Sequence, residues 1–81
     1  MMSVYQMIKA GQIYKANFIT KRIIALTGED FNGNVHFIMP DGCVGFFHKT
    51  AIVQDIQDKF LKKIAEYPTW QEAVNSKEFK E

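Results

Sequence analysis

Two tight-turn signals stand close together in the middle of the chain, Asn32-Gly33 and Pro40-Asp41-Gly42, and between them the residues alternate. Asn-Gly favours a hairpin because both residues tolerate positive φ. Pro-Asp-Gly makes a corner because proline is pre-set for its first position and glycine is free to take the left-handed one. Val35, Phe37 and Met39 alternate with Asn34, His36 and Ile38, the period of a strand with two unlike faces. A strand enclosed by two such turns has an antiparallel neighbour on each side, so the sequence predicts an antiparallel sheet.

The neighbours follow from the same signals. Tyr14, Ala16 and Phe18 alternate with Ile13, Lys15 and Asn17, which places a first strand at Ile13–Phe18, opened by Gly11. Arg22 to Thr27 carries adjacent Ile23 and Ile24 and ends in the turn-forming Thr27-Gly28-Glu29-Asp30, a second strand with both faces partly covered. The fourth strand is predicted at Cys43–His48.

Beyond Lys49 the period changes. Ile52, Ile56, Phe60 and Ile64 recur every four residues and fit one face of a long helix capped by Thr50. A competing reading ends the helix near Gln57 and places a strand at Phe60–Tyr67. Pro68 stops either element. Thr69-Trp70-Gln71-Glu72 then has the form of a capping box, with Ala73 and Val74 as core-facing positions of a terminal helix.

At 81 residues the chain is one domain spanning 1–81, since a chain this short buries only about 60% of its unfolded surface and has room for one core. Phe46 and Phe47 are adjacent on one strand and so point to opposite faces. The terminal helix is expected to cover one of them through Trp70, and Phe79 to fasten the C-terminus. Ten basic against nine acidic side chains create no broad field for phosphate backbones or anionic membranes. No run of apolar residues is long enough for a membrane span, and the N-terminus lacks the pattern of a signal peptide. The lone Cys43 permits no internal disulfide, which fits a reducing, cytoplasmic setting, and it is expected as a small core filler.

Catalytic chemistry has little to stand on. His36, Cys43 and His48 lack metal-ligand spacing, and Cys43 lies in a turn context without an oxyanion-hole signature. Glu29, Asp30 and Asp41 occupy predicted turns, where acidic residues serve the backbone. Neither phosphate-loop nor dinucleotide fingerprints occur. The expectation is a non-enzyme without cofactor or metal.

The order of elements, a strand opened by Gly11-Gln12-Ile13-Tyr14-Lys15, hairpins through Asn32-Gly33 and Pro40-Asp41-Gly42, then a short helix and a fifth strand, resembles a small Src-homology-3-like (SH3-like) β-barrel. The closing stretch from Ile64-Ala65-Glu66-Tyr67-Pro68 through Thr69-Trp70-Gln71-Glu72 to Phe79 is similar to the endings of small uncharacterised bacteriophage and prophage proteins. The resemblance implies a mainly β (α+β) fold, a barrel of four to five antiparallel strands with a short connecting helix and a C-terminal helix. It favours the strand over the long helix at residues 60–67.

The expected function is a non-catalytic protein-interaction module, one that a phage or prophage chain turns on a bacterial host protein. Its contact residues are Tyr14, Phe46 and His48, an aromatic patch. The alternative is a nucleic-acid-binding small barrel, with Tyr14 and Phe46 stacking on bases inside a rim of Lys15, Lys21, Arg22 and Lys49. A homodimer paired through an open sheet edge is a third reading, since so short a chain gains stability by association.

Overall fold

The computed structural model of the chain describes residues 8–17 and 22–80. Five strands form one antiparallel sheet: β1 (Gln12–Ala16), β2 (Ile23–Glu29), β3 (Asn34–Ile38), β4 (Val44–His48) and β5 (Leu61–Glu66). Helix α1 (Lys49–Gln57) connects β4 to β5, and a short helix α2 (Trp70–Val74) follows β5. The strand order is β4-β3-β2-β1-β5, so α1 carries the chain from one edge of the sheet to the other.

Alternation along the strands divides the core in two. Tyr14, Ala16, Ile24, Leu26, Val35 and Phe37 face α1 and meet its buried Ile52 and Val53. Ile13, Ile23 and Ala25 face the opposite way and are closed over by Ala73 of α2 and by Phe79. The sheet is thus a middle layer between two helical covers, and β1 and β2 are apolar on both faces because both faces are buried.

The predicted turns form, with one change of geometry. Gly42 takes φ +90° and donates its N–H to Met39 O at 2.9 Å, closing the Pro40-Asp41-Gly42 corner. At the other hairpin only Gly33 has positive φ, at +81°. The loop runs from Asp30 to Gly33, with Asp30 Oδ1 accepting the N–H groups of Asn32 (2.9 Å) and Asn34 (3.0 Å). Asn32 is therefore not a left-handed corner, because the Asp30 carboxylate organises the turn instead.

Of the two readings for the segment after Lys49, the short helix followed by a strand is the one that forms: Phe60 N–H bonds Asp55 O (2.8 Å), Lys59 N–H bonds Ile56 O (3.1 Å), and Lys59 sits at φ +65°. This is a Schellman stop, and it delivers Leu61 directly into β5. The cap of α1 is His48 and not Thr50, the imidazole accepting the Thr50 N–H at 3.2 Å. The first strand ends at Ala16, and Phe18 lies outside the described residues. Cys43 is exposed, because it precedes β4 at the open side of the turn and has no core to fill.

The sheet is open. No ladder joins β4 to β5, and α1 lies against both of them. The terminal helix is built as the sequence implied: Thr69 Oγ1 accepts the Glu72 N–H at 3.2 Å, and Glu72 Oε1 lies 3.4 Å from the same hydroxyl.

A candidate interaction edge on strand β4

Of the two edge strands, β4 and β5, only one is protected. β5 bears Lys62, Lys63 and Glu66, and its register against β1 shifts between Ile13 and Tyr14; charges and irregular pairing both blunt an edge. β4 reads Val-Gly-Phe-Phe-His, with no acid, lysine, arginine or proline. It pairs with β3 in unbroken register, from Asn34 opposite His48 to Ile38 opposite Val44.

The ladder also fixes which backbone groups are used. Lys49 N–H bonds Gly33 O and Met39 N–H bonds Cys43 O, each at 2.8 Å. In an antiparallel pair, bonded and non-bonded positions alternate. Phe47 and Gly45 therefore bond β3, whereas Val44 and Phe46 turn their N–H and C=O groups outward from the sheet. Among the described residues no strand receives them.

Side chains on β4 are exposed on both faces: Val44 at 75%, Phe46 at 57% and Phe47 at 51%. Phe46 lies against His36, ring centroids 5.3 Å apart. Phe47 stacks on Phe37 at 5.4 Å. Gly45 makes this stack possible, since a Cβ there would come within 2.9 Å of Phe37 Cζ. The ring of Phe37 lies over the glycine and reaches Phe47 diagonally. Helix α2 packs on β1 and β2, so neither phenylalanine is covered through Trp70 as the sequence implied.

Phe47 also borders a groove of about 270 Å³ between α1 and the sheet, with Ile24, Phe37 and Met39 as apolar wall and Arg22 and Asp55 as charged members. Burial, with Asp58 nearby, raises the Asp55 carboxyl above its ordinary value. Phe31 stands fully exposed at the tip of the β2–β3 hairpin.

Of the three aromatic residues singled out from sequence, Phe46 and His48 share an exposed face of β4, and Tyr14 lies apart from them. Tyr14 is buried under α1, and its hydroxyl donates to Gln12 Oε1 at 3.0 Å. Burial, helped by the charge of Glu66, pushes its phenol up to about 12. It is a core residue because both faces of β1 are covered, so it neither joins Phe46 in a patch nor stacks on a base. His48 is held as the cap of α1, with Thr50 Oγ1 also 2.9 Å from its Nδ1. Of the three, Tyr14 is buried, whereas Phe46 and His48 are both exposed.

Of the basic rim, the described Lys15, Arg22 and Lys49 are dispersed. Lys49 is paired with Glu29 at 3.1 Å. Arg22 precedes the other end of β2, about 20 Å away by strand rise, and donates to Met39 Sδ at 3.8 Å. Lys15, opposite Ile23 and Lys62, shares the face that α2 covers, whereas Arg22 borders the groove on the α1 face. Lys21 lies outside the described residues.

Alternation alone could have shown Val44 beside Phe46 on one face. Which end of the sheet α2 would leave bare has no local signal. Among the described residues no cluster of histidine, cysteine and acidic side chains is placed to hold a metal, and no helix is long and apolar enough to cross a membrane. Compared with protein families, curated proteins and solved structures, the chain matches none.

Proposed function

We propose that the chain is a non-catalytic protein-interaction module that binds through the β4 edge. The observation that carries this reading is the asymmetry of the edges: β5 is charged and irregular, β4 uncharged, regular and flanked by exposed Val44, Phe46 and Phe47. An extended segment of another protein adds to such an edge through main-chain hydrogen bonds, and its side chains find the aromatic rows on either face. The hairpin-linked strands, the helix between β4 and β5 and the final strand support an SH3-like architecture for the module. The resemblance of residues 64–79 to phage and prophage proteins supports a bacterial host protein as the partner.

The test is affinity capture from bacterial lysate by the wild-type chain and by Phe46→Ala, each with and without nuclease. One stoichiometric protein that survives nuclease and is lost with Phe46→Ala supports the reading. Capture unchanged by Phe46→Ala rejects the edge. Binding lost on nuclease treatment, and weakening steeply with salt, would favour the nucleic-acid reading instead.

A further inference from the structure

We infer that the strand β4 receives is β4 of a second copy of this chain, paired antiparallel about a two-fold axis at Phe46. The inference rests on β4 being the binding edge, and what identifies the occupant is the self-complementarity of the strand. In that register Phe46 faces its own copy, Val44 faces His48 and Gly45 faces Phe47. Val44 and Phe46 are the positions whose backbone groups point outward, so the bonding positions of the two copies coincide. A pairing about Phe46 also overlaps the full five residues of the strand.

The side chains interlock on both faces. On the α1 face, Gly45 is already roofed by the Phe37 ring. The copy's Phe47, arriving opposite Gly45, comes against that ring and continues the Phe37–Phe47 stack across the axis. On the other face, the His36–Phe46 contact meets the same contact of the copy. Because β4 carries no charge, no like charges oppose each other in this pairing, and it is isologous, so it closes at two copies and does not propagate.

The register makes a further statement about Cys43. It falls opposite position 49 of the copy, which separates the two thiols by about 20 Å, too far for a disulfide. Oxidation of the wild-type chain therefore leaves this dimer without a covalent link.

Sedimentation equilibrium of the purified chain between about 1 μM and 1 mM, the range of small interfaces, tests the inference. The wild type is expected to pass from monomer to dimer. Phe46→Lys, which opposes two positive charges across the axis, is expected to stay monomeric with an unchanged circular-dichroism spectrum. As a second measurement that does not depend on that variant folding, Cys43→Ser/Phe46→Cys is expected to form a disulfide dimer under mild oxidation, and Cys43→Ser/Lys62→Cys on β5 is not. A wild type that stays monomeric throughout, a dimer that persists in a folded Phe46→Lys, or linkage through position 62 overturns the inference. These outcomes concern the chain alone, so they leave lysate capture by the β4 edge to stand or fall separately.

Discussion

Phe46 stands opposite His36 at a non-hydrogen-bonded position of the β3–β4 ladder, ring centroids 5.3 Å apart, while its neighbour Phe47 turns to the other face and stacks on Phe37. One short strand thereby presents an aromatic row on each side of an uncharged edge. That arrangement distinguishes Phe46, which is mostly exposed, from Phe37, which is core.

The two rings should respond differently to truncation. Phe46→Ala is expected to change stability by less than about 1 kcal/mol while removing partner binding. Phe37→Ala empties a buried site and is expected to cost about 3–5 kcal/mol. Urea unfolding of both variants, followed by circular dichroism, checks the contrast. An equal loss in the two would place Phe46 in the core.

Alkaline pH should act through Tyr14. Its phenol is raised from 10.0 to about 12, chiefly by burial, so the folded chain favours the neutral form. The associated stability is present below pH 10 and is lost as pH rises towards 12. Absorbance of ionised tyrosine should show a phenol titrating towards pH 12 that Tyr14→Phe removes, while Tyr67, which its hydrogen bond to Glu78 also raises, stays in the variant's curve.

Acid should act through two exposed carboxylates. Asp30 is held at about 2 by the His36 ring, whose Nε2 lies 3.0 Å from Oδ2, and by the Asn34 and Asn32 N–H groups. Glu66 is held at about 2 by Lys9 and Lys63, each at 3.0 Å, with Gln12 assisting. Both pKa values lie below the ordinary ones, so the stability is present above about pH 4.5 and is lost as pH falls towards 2. Thermal melts across this window should flatten in Asp30→Asn and Glu66→Gln; wild-type slopes in both variants would contradict the assignment.

Backbone conformation gives opposite signs at two positions. Lys59 ends α1 at φ +65°, where glycine carries no penalty, so Lys59→Gly is expected to raise stability by about 0.5–1 kcal/mol. Gly11 has φ +97°, and a Cβ there would lie 2.2 Å from the Tyr67 carbonyl oxygen. Gly11→Ala is expected to cost more than about 1 kcal/mol. Denaturant midpoints of the two variants should move in opposite directions.

The parts of the fold legible in the sequence are those governed by neighbouring residues. Gly33, Gly42 and the Thr69 cap act within a few positions, and the alternation around Val35 and Phe37 is local. The stop of α1 near Gln57 was legible only as one of two readings, because its left-handed residue is Lys59 and the four-residue recurrence through Phe60 and Ile64 continues past it. In the fold Ile64 belongs to the opposite core from Ile52. Tyr14 and Phe46 looked alike as strand aromatics. What separates them is that β1 lies inside the sheet under α1, whereas β4 is an edge, a difference set by strand order and not by either residue's neighbours.

Residue-resolved hydrogen exchange of the β4 amides tests the central claim most directly, because it reads the edge itself. In dilute, unbound protein the amides of Val44 and Phe46 are expected to exchange fast, and those of Gly45 and Phe47, bonded to β3, slowly. On binding, whether to a second copy at high concentration or to a captured partner, Val44 and Phe46 should become protected. Protection that appears elsewhere while these two amides still exchange freely would contradict the assignment of β4 as the interaction edge.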